Sequence, residues 1–128
     1  MPVRTALLAV SLASAYASGT HAQGAPGGSL VELCNSESQT DNLVCTALII
    51  GTTSGMRYGV DAGAMAMGAD VENLHIIGHE ILKACTPRDA TGGQLQAIAL
   101  KFLRAHPEFW HEHSPAIVHR ALTKTFPC

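Results

Sequence analysis

The sequence predicts an all-α fold, a small bundle of four to five helices stapled by two disulfides. Three observations carry that prediction. Apolar residues recur at helical spacing through several stretches of the chain. Helix-start chemistry precedes two of these stretches, at Thr91 and at Ser114-Pro115. The cysteines number four, Cys34, Cys45, Cys85 and Cys128, and an even count in a small exported chain reads as disulfides.

Export is read from the first residues. Met1 to Arg4 is a short positive start, and Thr5 to Ser18 is an uncharged stretch rich in Ala, Leu and Val. Such a stretch is too short to cross a hydrocarbon layer ~30 Å thick as a stable helix, so it reads as a secretory signal peptide. Small residues at Thr20 and Ala22 fit the narrow pocket of a signal peptidase, which places cleavage after Ala22 and leaves residues 23–128 as one domain. Without Arg4, seven Lys or Arg face ten Asp or Glu, a formal charge of -3 with His neutral. That balance argues against nucleic acid or anionic lipid as a partner. No later segment reads as a transmembrane span.

Residues 23–28 read as a flexible leader, with Ser29 as cap of a first helix through Cys34. A polar break follows, and a second helix starts near Thr40 or Asp41. Along it Gly51, Gly55, Gly59 and Gly63 recur every four residues. Each glycine costs about 0.5–1 kcal/mol against alanine in a helix interior. Close approach of another backbone would offset this, either within the chain or between subunits; otherwise the helix ends near Gly51. A break at Gly68-Ala69-Asp70 precedes a third helix whose apolar positions Leu74, Ile77, Ile81 and Leu82 lead to Cys85.

Thr91-Gly92-Gly93-Gln94 has the form of a capping box, and Leu95, Ile98, Ala99, Phe102 and Leu103 then line one face. Pro107 stops that helix, and Ser114-Pro115, cap then proline, opens the last one. An antiparallel hairpin of these two helices returns Cys128 toward Cys85, which pairs Cys85 with Cys128 and leaves Cys34 for Cys45. Spacing alone leaves the other two connectivities open. Thiolate zinc is disfavoured because no C-x-x-C pair occurs.

Chemistry is sparse. His75 and His79 stand four apart on one helical face, a candidate zinc or copper pair that His111 and His113 would complete if their turn folded over it. The motif is not H-E-x-x-H, because Glu80 follows the second histidine. No serine sits in a nucleophile elbow, no carboxylate pair stands out, and the glycine-rich segment lacks G-K-[ST]. The expectation is a protein with no enzymatic activity and no cofactor. Phe109 and Trp110, flanked by His111 and His113, lie in a polar turn. They either fold back onto the hairpin or present a protein-binding patch, where aromatics act as anchors.

An ordered set of motifs resembles the Rap/Tai family of type VI secretion immunity proteins. It comprises Cys85-Thr86-Pro87, Thr91-Gly92-Gly93-Gln94, Phe102 to Glu108 through His106-Pro107, Ala121-Leu122 and Phe126-Pro127-Cys128. Cys34, Cys45, Gly51 to Gly55 and Asp61 extend the resemblance to the early part. The resemblance implies a periplasmic, all-helical, disulfide-bonded protein. Such a protein blocks a peptidoglycan-cleaving amidase effector with a protruding loop, and several relatives are homodimers. The chain departs from the family pattern at Trp110 to His113 and at Met56 to Gly68, so no binding loop is carried over to either. Two other readings compete with the amidase inhibitor. One is a periplasmic metal- or small-ligand-binding protein built on the histidines, the other an envelope scaffold without a toxin partner.

Overall fold

The structure, a computed structural model, describes residues 25–128. The expected signal peptide, residues 1–22, lies outside the described residues. Five α-helices follow in order: α1 (Gly27–Asn35), α2 (Gln39–Ala66), α3 (Leu74–Leu82), α4 (Gly92–Ala105) and α5 (Ser114–Thr125). Single 3-10 turns at Val71–Asn73 and Pro107–Phe109 lead into α3 and out of α4. Among the described residues the only β pairing is two isolated bridges, Pro26 with His113 and Ala84 with Pro127.

α1 begins earlier than its serine suggested. Ser29 lies inside the helix, and the residue before the first turn is Pro26. The first amides of a helix have no intrahelical acceptor, and here a distant turn supplies one. Gly27 N–H donates to the Glu112 carbonyl at 2.9 Å and Gly28 N–H to the Trp110 carbonyl at 3.0 Å. The same turn receives the chain upstream, where the Ser114 amide donates to the Ala25 carbonyl at 2.9 Å. The Ser114 hydroxyl donates to that carbonyl too. Ser114 therefore does not cap α5. His113 holds that position without a side-chain cap bond, and Pro115 sits in the first turn. The residues expected to form a leader are thus part of the fold from Ala25 onward.

α2 is 28 residues long, about 42 Å at 1.5 Å per residue. Ser38 Oγ accepts from Asp41 N–H at 3.4 Å to start it. Gly68, at φ 89°, turns the chain out of its end, a backbone region open to glycine at little cost. The helix does not stop at Gly51. Of the two backbone contacts considered for its glycines, the one within the chain is not found among the described residues, where a Cβ added at Gly51, Gly55, Gly59 or Gly63 would meet nothing within 4 Å.

The core lies where the inner faces of the helices meet. Leu30, Val31, Cys45, Ile49, Ala99, Leu103, Ile117, Val118 and Leu122 form one buried cluster. Thr91 caps α4 as expected, its hydroxyl accepting from Gln94 N–H at 3.2 Å. The disulfides join Cys34 to Cys45 and Cys85 to Cys128, with Cα separations of 5.1 and 5.0 Å. The first ties α1 to α2 across the 36–38 break. The second fastens the segment after α3 to the end of the α4–α5 hairpin, where Cys85 N–H also donates to the Phe126 carbonyl at 2.8 Å.

Candidate functional site

Two surface features gather the chemistry-bearing side chains. The larger is a groove of about 820 Å³ between the second half of α2, the Val71–Leu82 segment, residues 84–90 and α5. Its volume falls in the range of small-ligand clefts, roughly 300–1,000 Å³.

One wall of the groove is the Arg57–Asp61 pair, with Arg57 packed on a glycine. Arg57 Nε lies 3.1 Å from both carboxylate oxygens of Asp61, one turn further along α2. Its guanidinium lies flat against α3, and a Cβ on the buried Gly78 would come 3.1 Å from Arg57 Cζ. The bare backbone at Gly78 is what lets the ion pair lie flat there. At the floor, His119 of α5 reaches across with Nε2 2.7 Å from the Leu82 carbonyl. A carbonyl only accepts, so Nε2 carries the proton in this contact. The bond satisfies one of the carbonyls left open at the end of α3.

His75 and His79 also line the groove, with ring centroids 6.3 Å apart and planes at 84°. His111 and His113 do not complete a ligand set with them. Their turn is hydrogen-bonded to residues 25–28, and among the described residues no group of three or more His, Cys, Asp or Glu is placed to hold a metal ion.

The second feature is the aromatic turn after α4. Phe109 folds back, stacking parallel on Phe102 with centroids 6.0 Å apart. The His106 ring lies 5.7 Å from Phe109 and the Arg120 guanidinium 4.9 Å from its ring centroid, and that same guanidinium forks onto the Glu112 carboxylate with two 3.1 Å bonds. His106 Nδ1 lies 2.8 Å from Glu108 Oε1. That hydrogen bond, helped by one from the backbone, holds the exposed Glu108 carboxyl below its ordinary value. Trp110 is fixed at one edge, its indole N–H donating to the Leu103 carbonyl at 2.8 Å, yet 37% of the residue stays open. His111 and His113 are exposed beside it. Phe109 is therefore a staple of the hairpin, while Trp110, His111 and His113 form the outward part of the turn.

Sequence reasoning found His75, His79 and the aromatic turn. It missed Arg57 and His119, and it noted Asp61 only through the family resemblance. The i, i+4 spacing of Arg57 and Asp61 was a readable signal for their pairing; the contacts with Gly78 and Leu82 were not, since they join different helices.

A family model for Rap1a immunity proteins matches residues 26–128. No curated protein and no solved structure matches the chain. The matched span opens at Pro26, where the chain is bonded to the 110–114 turn, and reaches Cys128, so it takes in all five helices and both disulfides. On that evidence the chain belongs to the Rap1a immunity protein family.

Proposed function

We propose that this protein is a periplasmic immunity factor that binds and inhibits a peptidoglycan-cleaving amidase effector of a type VI secretion system. In this reading residues 1–22 are removed on export and the mature chain, residues 23–128, acts as a homodimer without chemistry of its own. The observation that carries the reading is the family match over residues 26–128. Two disulfides support an oxidising compartment. Among the described residues no helix is long and apolar enough to cross a membrane.

Inhibition by occlusion is served by a rigid surface segment, and aromatic side chains are frequent anchors at such contacts. The turn bearing Trp110, His111 and His113 supports that role. It is bonded to α1 on one side and to α4 on the other, so little conformational freedom is lost when a partner closes over it.

The test mixes purified mature protein with the exported effector encoded beside its gene and follows release of peptidoglycan fragments. Wild type forms a stable complex and abolishes cleavage. Trp110→Ala, checked for folding by circular dichroism, weakens the complex by about 10- to 100-fold, in the range of hot-spot truncations. Absence of any neighbouring exported toxin that binds the protein sinks the reading.

A further inference from the structure

In the groove between α2 and α3, Arg57 and Asp61 neutralise each other on the wall. Glu72, His75, His79 and Arg88 line it as well, and their side chains have no hydrogen bond or ion pair among the described residues. Below them Met56, Leu82 and Leu95 pack onto the hydrophobic core and give the groove an apolar floor. Apolar surface with a few unspent polar groups above it is the composition of a ligand site.

The two unpaired charges stand at opposite ends. Glu72 follows the close of α2 at Ala66 and lies toward the Asp61 end. Gly78 rests on Arg57 in the middle. Arg88 comes four residues before Gly92, where an added Cβ would lie 2.7 Å from Ile50 Cδ1, so it belongs to the Thr53 end. Thr53 and Asp61 both line the groove, and their separation along α2 is about 12 Å. An extended peptide advances about 3.3 Å per residue, so about three or four residues cover that length.

A carboxylate at one end and a guanidinium at the other are complementary to a zwitterion. We propose that the groove binds a short peptide with free ends, its amino group at Glu72, its carboxylate at Arg88 and an apolar side chain on Met56, Leu82 and Leu95. The guanidinium forks onto both oxygens of a carboxylate. The imidazoles of His75 and His79 each offer a donor and an acceptor to the peptide main chain between the ends. A simple anion fits less well, because it leaves the Glu72 carboxylate facing it, and an internal stretch of a protein brings neither charged end. Trp110 and its turn do not line the groove, so the proposal does not rest on the function proposed above.

Calorimetric titration of residues 23–128 with the tripeptide Ala-Leu-Ala provides the test. Wild type binds it with a Kd of about 0.1 mM, in keeping with a ligand of that size. Acetylating the amino group or amidating the carboxylate each weakens binding by about threefold to tenfold. Glu72→Gln weakens the free peptide by the same factor and no longer tells it from the acetylated form. Arg88→Gln does the same for the amidated form. Both side chains are exposed and unpaired, so both variants keep the wild-type circular dichroism. Absence of binding at about 10 mM peptide overturns the proposal. So does a doubly blocked peptide that binds as well as the free one, and so do variants that discriminate the blocked forms as wild type does. Failure to bind an effector leaves these results unmoved and counts against the proposed function alone.

Discussion

At Gly27 the first amide of α1 is held by the Glu112 carbonyl, and a Cβ built on its backbone would overlap Ile117 Cδ1 in the core. Ile117 is 1% exposed and has little room to withdraw. Gly27→Ala is therefore an overpacking change, expected to destabilise by about 1–3 kcal/mol in urea unfolding. Gly93→Ala is the control, because a Cβ there meets nothing within 4 Å and alanine is the better helix former. Equal midpoints for the two variants would show that Ile117 moves aside freely. Nothing local in Gln-Gly-Ala-Pro-Gly-Gly distinguishes Gly27 from a leader glycine. What fixes Gly27 is Ile117, a residue that only the folded chain brings near.

Among the elements, α3 departs most from its expected bounds, ending at Leu82 instead of running on to Cys85. Lys83 takes a left-handed backbone at φ 53°, and the chain then runs through the Ala84–Pro127 bridge to the disulfide. The apolar periodicity was legible up to Leu82; the stop was not, because lysine is not the residue that marks such a turn. Lys83→Gly removes the steric cost of that backbone and is expected to stabilise by about 0.5–1 kcal/mol, read as a rise in the urea midpoint. The exposed Lys83–Glu80 ion pair lost with it contributes little. A lower midpoint would mean that the lysine stem packs more than its exposure suggests. In α2 the glycine spacing is legible in the sequence, whereas the open space above Gly51, Gly55, Gly59 and Gly63 among the described residues is visible only in the fold.

At the scale of the whole molecule, the fold class and the run of four to five helices were legible, because proline stops, the Thr91 cap and apolar periodicity are local signals. The two disulfide pairs followed from the hairpin of the last two helices, while spacing alone left other connectivities open. The groove was not legible. It joins Arg57, Leu82 and His119 from three helices, and no spacing within one segment records that meeting. The Cys85–Cys128 bridge closes a separation of 43 residues. By loop entropy, replacing both cysteines with alanine should cost about 4 kcal/mol, read from urea unfolding of the variant. A loss under about 1 kcal/mol would show that the α4–α5 hairpin holds its end in place without the staple.

The hydrogen bonds between residues 25–28 and the 110–114 turn also bear on the order in which the fold is assembled as the chain emerges. The amides that open α1 receive their acceptors only when the Trp110 and Glu112 carbonyls arrive. The Ala25 carbonyl waits for Ser114, 89 residues downstream. Short helical hairpins ordinarily form from neighbours as they appear. Here the first helix stays unclosed until most of the chain is out, so a chain threaded through a membrane from its start would cross before it locks.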